Sequence, residues 1–227
     1  MSFLRLKKYY PLSGKYKAYK PIASYGKNRN EAFVGISYSM VATPDAASAF
    51  AIVPEKYRKN FYLSLMEINT FIPPHIDTGV LATINFYIKP DGCTTQFYRF
   101  RDPEKTTRVD TKGYVYDLAE LEDTVHFVAE KDSVYLLDTT VPHAVWDMGN
   151  EVRGVQMDLV KLFEDAHVET PFDPARRDLN DPPIIRDRDG NVLNLPCAYR
   201  DTHRIALCLQ TVKYGFSDVA DMLSEQR

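Results

Sequence analysis

A mainly β domain, a double-sheet jelly roll or related barrel with flanking helices, is the fold class that this sequence predicts. Three observations predict it. Aromatic and β-branched runs of strand length recur from residue 61 onward, turn chemistry such as the KPDG at 89–92 punctuates them, and helical patterns are confined to the two ends of the chain. With 227 residues, one domain spanning 1–227 is expected. Its core is placed at about 61–162, with a helical or arm region at 1–60 and a loop, strand and helix at 163–227.

The elements follow in order. From Leu4 to Lys20, Arg5, Lys7, Lys8, Lys15, Lys17 and Lys20 interleave with Tyr9, Tyr10, Tyr16 and Tyr19, which reads as a solvated arm that packs its tyrosines on the domain, with a patch that stacks and neutralises a single nucleic-acid strand as the lesser alternative. The segment from Thr43, TPDAASAFAIVPEKYRKNF, carries a helical signal that Pro54 must break or restart. A strand at 61–72 is expected to stop at Pro73 and Pro74. VLATINFYI at 80–88 and TTQFYRF from Thr94 read as an antiparallel hairpin through the KPDG turn. Further strands are expected at 125–129, 133–138, 152–160 and 204–212, and FSDVADMLSEQ at the end reads as a helix opening on a Ser cap. Two charged stretches, 101–124 and 163–203, are long enough to predict loops that cover something.

Composition narrows the function. Charged residues at 26% and hydrophobic residues at 44% describe a globular chain with a real core. Twenty-eight basic against 31 acidic residues leave a net charge of −3, which disfavours nucleic acid and anionic membrane as partners. No apolar run reaches the roughly 18 residues of a membrane span and the start lacks a signal-peptide core, so no membrane association and a cytoplasmic location are expected. Cys93, Cys197 and Cys208 have no CxxC spacing, and idle thiols are the reading.

The chemistry concentrates around His75 and Asp77. Two positions apart in extended chain, they point the same way and can converge on one ion. Downstream, a strand ending in Asp138 leads through a Pro-containing turn to His143. Two imidazoles and one carboxylate with open positions suit non-heme Fe(II), and a catalytic zinc site can use the same set. Ten positions beyond His143, Arg153 opens an apolar run, where a guanidinium needs a buried anion. Arg204 is its rival because it also opens an apolar strand; spacing favours Arg153. His126 and His203 read as structural histidines and His167 as solvated. Trp146 either walls the site or packs in the core.

In this order His75, Asp77, His143 and Arg153 resemble the pattern of the Fe(II)/2-oxoglutarate-dependent dioxygenases: HxD, a distal His, and a basic residue about ten positions later. The match covers roughly 61–160. The resemblance implies a cupin-like double-stranded β-helix, iron held by His75, Asp77 and His143, and 2-oxoglutarate anchored by Arg153 with polar contacts from Asn85 and Tyr87. It implies a hydroxylase that consumes dioxygen, decarboxylates 2-oxoglutarate to succinate and acts on an organic substrate, a small molecule or a protein side chain, with ascorbate a candidate reductant. Asp77 argues against the halogenating branch, which leaves that coordination position to halide. Two other classes use the same residues: a cupin-like protein that binds a small molecule without redox chemistry, and a metal-dependent isomerase or hydrolase.

Overall fold

The computed structural model describes residues 1–6, 17–24, 36–42, 45–68, 71–77, 79–90, 92–102, 104, 116–146, 167–168, 185–186 and 204–224. They form a mainly antiparallel β structure with few helices. The strands are β1 (Phe3–Arg5), β2 (Lys17–Ser24), β3 (Ile36–Ala42), β4 (Phe61–Ile68), β5 (Ile72–His75), β6 (Ala82–Lys89), β7 (Thr94–Phe100), β8 (Leu121–Val128), β9 (Val134–Asp138), β10 (His143–Trp146), β11 (His167–Val168), β12 (Ile185–Arg186) and β13 (Arg204–Thr211). Helix α1 (Asp45–Ala51) follows β3, and α2 (Phe216–Ser224) follows β13. Among the described residues no helix is long and apolar enough to cross a membrane.

A seven-stranded sheet has the order β1-β9-β6-β13-β4-β3-β2, and a four-stranded sheet has the order β5-β10-β7-β8. From β4 onward the chain keeps changing sheets: β4 and β6 lie in the large one, β5 and β7 in the small one, β9 in the large, β10 in the small, β13 in the large. Strand alternation then sorts the side chains. On the inward face of the large sheet, Met66, Tyr87, Ala206 and Cys208 share a core with Phe97 and Val145 of the small sheet. On its outward face, Leu65, Ile84, Phe86 and Leu207 pack against Ile52 and Val53 after α1 and against Val219 of α2.

Several expectations change here. The strands at 80–88 and 94–100 are present, but they make no hairpin: β6 pairs with β13 and β9, whereas β7 pairs with β10 and β8. Turn residues at 89–92 mark a reversal, and local chemistry cannot say whether the chain returns beside itself or crosses to the opposite sheet. The strand expected at 61–72 is two strands, and Pro73 and Pro74 lie inside the second. β5 is a sheet edge, where a residue lacking an N–H costs no ladder bond. The region 1–60, read as arm and helix, supplies three strands, one of which includes Lys17 and Lys20 of the basic segment. The second charged stretch begins beyond β10, and the first ends in a short 3-10 turn and the start of β8. The expected strand at 152–160 lies outside the described residues. The tail helix starts at Phe216, so Ser217 sits in its first turn; Asp218 accepts a hydrogen bond from the Gly215 N–H at 3.0 Å instead.

β13 is hydrogen-bonded along its length to β4 on one side and β6 on the other. Leu207 is buried at its centre. Leu207→Ala is therefore expected to cost about 2–5 kcal/mol in urea unfolding. Val212→Ala, at a side chain 60% exposed just past the strand, is expected to fall within about 0.5 kcal/mol of the parent.

Candidate metal centre

β5 ends on His75 and β10 begins on His143, and the antiparallel register sets the two residues opposite each other. Their ring centroids are 4.4 Å apart. Asp77 comes two residues after His75, with Oδ1 3.3 Å from His75 Nε2. One ligand atom from each of His75, Asp77 and His143 lies within 4.8 Å of the others, close enough for a single ion to bind all three. His75 Nδ1 is 2.8 Å from the Pro73 carbonyl, and His143 Nδ1 is 3.0 Å from that of Val141. A carbonyl only accepts, so each Nδ1 carries the proton and each Nε2 lone pair is the one a cation would use. Without one, Nε2 of His75 and Oδ1 of Asp77 would face each other as two acceptors; a proton or a metal ion resolves the conflict.

The electrostatics of the cluster point the same way. Burial is the main reason that His143 is pushed down to about 4, and the neighbouring His75 adds to it; Asp77 and the Val141 carbonyl only partly oppose this. Burial pushes the Asp77 carboxyl up, but the hydrogen bond with His75 and the charges of His143 and His75 outweigh it, leaving Asp77 below the ordinary carboxylate range. A neutral imidazole and an ionised carboxylate are the ligand forms a divalent metal needs.

The loops that carry the ligands are tied to each other. The buried Thr139 accepts from the Asp77 N–H through its carbonyl at 3.2 Å and donates from Oγ1 to the Val80 carbonyl at 2.9 Å. Asp138 Oδ1 accepts from the Thr140 N–H and hydroxyl at 3.1 and 2.6 Å, which fixes the turn leading to His143. Thr139 escaped notice in the sequence, where the TT at 139–140 looks like any polar turn.

Between the same two sheets lies Arg204, 1% exposed at the start of β13. Its Nη2 donates to Tyr87 Oη at 2.6 Å and to Thr95 Oγ1 at 3.0 Å, and the guanidinium carbon sits 4.5 Å from the centre of the Tyr87 ring. Among the described residues Nε and Nη1 are buried without a hydrogen-bond partner. Tyr87 Oη also lies 3.5 Å from Asn85 Nδ2, and Asn85 Oδ1 accepts from Thr83 Oγ1 at 2.9 Å. Asn85 and Tyr87 thus stand on the inward face of β6, joined to a cation whose charge no carboxylate in the described residues meets. Thr95 pairs with Val145, one inward position along β10 from His143, so the guanidinium and the candidate metal ligands occupy neighbouring levels of one interior.

The remaining candidates separate cleanly. Arg153, His203 and Cys197 lie outside the described residues, as does the His167 side chain. His126 is exposed on β8, so it is neither ligand nor core residue. Trp146 donates to Tyr98 Oη at 2.7 Å and stacks on Phe71, and as the third residue after His143 it points to the other face of the small sheet. It packs and does not wall the site. Cys93 and Cys208 are buried free thiols, and burial pushes Cys208 far up.

No protein-family model matches the chain, and no curated protein matches it. Among solved structures the chain is similar to an oxidoreductase of the 2OG-Fe(II) oxygenase family from Burkholderia pseudomallei, at 8% identity over 86% of this chain and 74% of that one, with a TM-score of 0.33. A likeness of that size assigns neither fold nor activity.

Two measurements check this geometry. His143 has a folded pKa depressed from 6.5 to about 4, so its unfolded form binds the proton first; its contribution to stability is complete above pH 6.5 and is lost as the pH falls toward 4. Asp77, also depressed, adds a loss of the same sign on acidification below about its ordinary value of 3.8. Metal-free protein held with chelator should show a falling urea midpoint from pH 6.5 to 4, and the His143→Gln variant should lose most of that slope. Thr139→Val, close in shape but without the hydroxyl, should weaken Fe(II) or Co(II) binding by about tenfold in a titration, because both ligand loops lose a shared tie.

Proposed function

We propose that this chain is a non-heme Fe(II)- and 2-oxoglutarate-dependent oxygenase, a hydroxylase built as one domain on a double-stranded β-helix. The sheet orders support the jelly-roll part of the reading, since strands drawn alternately from the chain fill two facing sheets. The His75, Asp77 and His143 cluster supports the metal, its two imidazoles and one carboxylate being the donor set of an Fe(II) facial triad. The observation that carries the proposal is Arg204: a buried cation with Nε and Nη1 unspent, in the same interior as a metal-ligand cluster, calls for a carboxylate. A binding protein for neutral sugars has no use for it.

Bound iron with 2-oxoglutarate and dioxygen would supply the oxidising equivalents that turn the keto acid into succinate and carbon dioxide and put an oxygen atom on a C–H bond. The chain's own part is placement. Arg204 pairs with the far carboxylate of 2-oxoglutarate, Tyr87 donates its hydroxyl proton to the same carboxylate while accepting from Arg204, and Asn85 fixes the Tyr87 hydroxyl. His75, Asp77 and His143 hold one face of the ion and leave the opposite face for ligands. Apolar residues of both sheets keep bulk water from the pair. Arg153, favoured by spacing, is the competing anchor.

Anaerobic titration should find one Fe(II) per chain, and His75→Ala, Asp77→Ala and His143→Ala should each abolish tight binding. Adding 2-oxoglutarate to the Fe(II) protein should give a visible charge-transfer band. Arg204→Met, which keeps an apolar stem, should weaken that titration by about 1.5–3 kcal/mol, while Arg153→Ala should leave it unchanged. The reverse result moves the anchor to Arg153, and undiminished iron binding in all three ligand variants refutes the metal centre.

A further inference from the structure

The inward face of the large sheet is graded from one end to the other. Along β13 its residues are Arg204, Ala206, Cys208 and Gln210, and the register sets Tyr87, Asn85 and Thr83 of β6 beside the last three. Both loops bearing metal ligands leave the sheet near the Ala82–Thr211 pair, at the end away from Arg204: Asp138 pairs with Ala82, and Leu81 donates to the Thr211 carbonyl at 2.9 Å. Gln210 therefore lies at the ligand-loop end, six residues or about 20 Å of extended strand from Arg204. That is beyond the reach of a five-carbon diacid fixed on the guanidinium.

At this second end the polar groups are buried and neutral. Gln210, 8% exposed, accepts from Ser64 Oγ at 3.3 Å through its carbonyl oxygen, and among the described residues its amide nitrogen has no partner. Thr83, directly across the strand pair, spends its proton on Asn85 and keeps its oxygen lone pairs. Tyr62 flanks Gln210 on the other side and is 40% exposed, so the row meets solvent there. A donor and an acceptor on directly opposed residues, about 5 Å apart at Cβ, match the carbonyl and the N–H on the same edge of one primary amide or lactam. Among the described residues no ionised side chain stands in this row, where a charged substrate would need one.

We propose that Gln210 and Thr83 form a recognition site for an uncharged carboxamide group, Gln210 Nε2 donating to its carbonyl and Thr83 Oγ1 accepting from its N–H. This rests on the oxygenase reading above, for which it names the substrate class: a neutral amide whose C–H bonds lie on the metal side of that group.

The test is binding to the metal-free protein, read by saturation-transfer NMR and calorimetry without turnover. The probes are a primary carboxamide fragment set that includes benzamide, each member matched with its carboxylate and its amine. Amides should bind and their matched acids and amines should not. Gln210→Leu should weaken amide binding tenfold or more. Thr83→Val should weaken primary amides but leave the weaker binding of N,N-dialkyl amides unchanged, a distinction that a merely structural role would not make. Thermal unfolding and circular dichroism identify any variant that has lost its fold, and Gln210→Glu, which keeps the shape and reverses the donor, then stands in for Gln210→Leu with the same expected loss. Acids that bind as well as amides, or amide affinity unchanged in Gln210→Leu and Gln210→Glu, overturn the proposal. Amide binding without succinate release from the Fe(II) and 2-oxoglutarate-loaded protein would refute the oxygenase reading and leave the amide site standing.

Discussion

The register of β13 is the constraint on which everything else rests. Its inward residues are Arg204, Ala206, Cys208 and Gln210, and its outward residues, Ile205, Leu207 and Leu209, belong to the core shared with the helices. Because side chains alternate, a slip of one residue against β4 and β6 would drive a guanidinium and an amide into that apolar layer and turn three large aliphatics inward. Burying an unpaired cation costs several kcal/mol, so the register is held by the penalty for the alternative as much as by its own hydrogen bonds. The price is a native state that keeps Nε and Nη1 of Arg204 unsatisfied in the described residues. Such a group is where the proposed anchor would recover in binding what the free fold gives up in stability.

The candidate metal ligands depend on the same frame at one remove. His75 and His143 face each other because β5 and β10 pair across the small sheet, and β10 reaches that position because Asp138 ends β9 in the large sheet, one turn earlier. Two buried imidazoles this close repel when protonated, which lowers His143, and a carboxylate beside them favours charge of the opposite sign. The cluster therefore resists protons in pairs yet welcomes one compact cation. Thr139 is what makes this geometry rigid, since a single residue bonds to the loop of Asp77 through two of its atoms while preceding His143 in its own loop.

Much of this was legible in the residues and some was not, for physical reasons. His75 and Asp77 announce themselves because a two-residue spacing in extended chain fixes a common side, and the run from Ala82 to Lys89 reads as a strand from its β-branched and aromatic content. The TTVP turn before His143 could be seen, but the four-residue strand it begins could not, since HAVW is too short to show a period. Prolines 73 and 74 misled because their cost depends on whether a strand is central or at an edge, which only the sheet order reveals. The false hairpin between β6 and β7 has the same origin: turn chemistry is local, and the choice between sheets is made by β13, more than a hundred residues later. Spacing favoured Arg153 over Arg204, and Arg153 lies outside the described residues.

The arrangement of charge along the interior argues for two ligands of different character. A cation at one end of β13 and an uncharged amide at the other, with the His75, Asp77 and His143 cluster on the facing sheet, would make little sense for a single molecule that fills the space. In a low-dielectric interior a charged ligand is drawn to Arg204 and gains nothing by approaching Gln210, whereas a neutral ligand gains nothing from the guanidinium and can satisfy the amide. The two proposed sites would thus sort their occupants by charge alone. The ligand-loop end, where Tyr62 reaches solvent, is the one at which a second molecule can arrive after the first is seated. An ordered pair of ligands, acid first and neutral partner second, is what this distribution of polar groups favours.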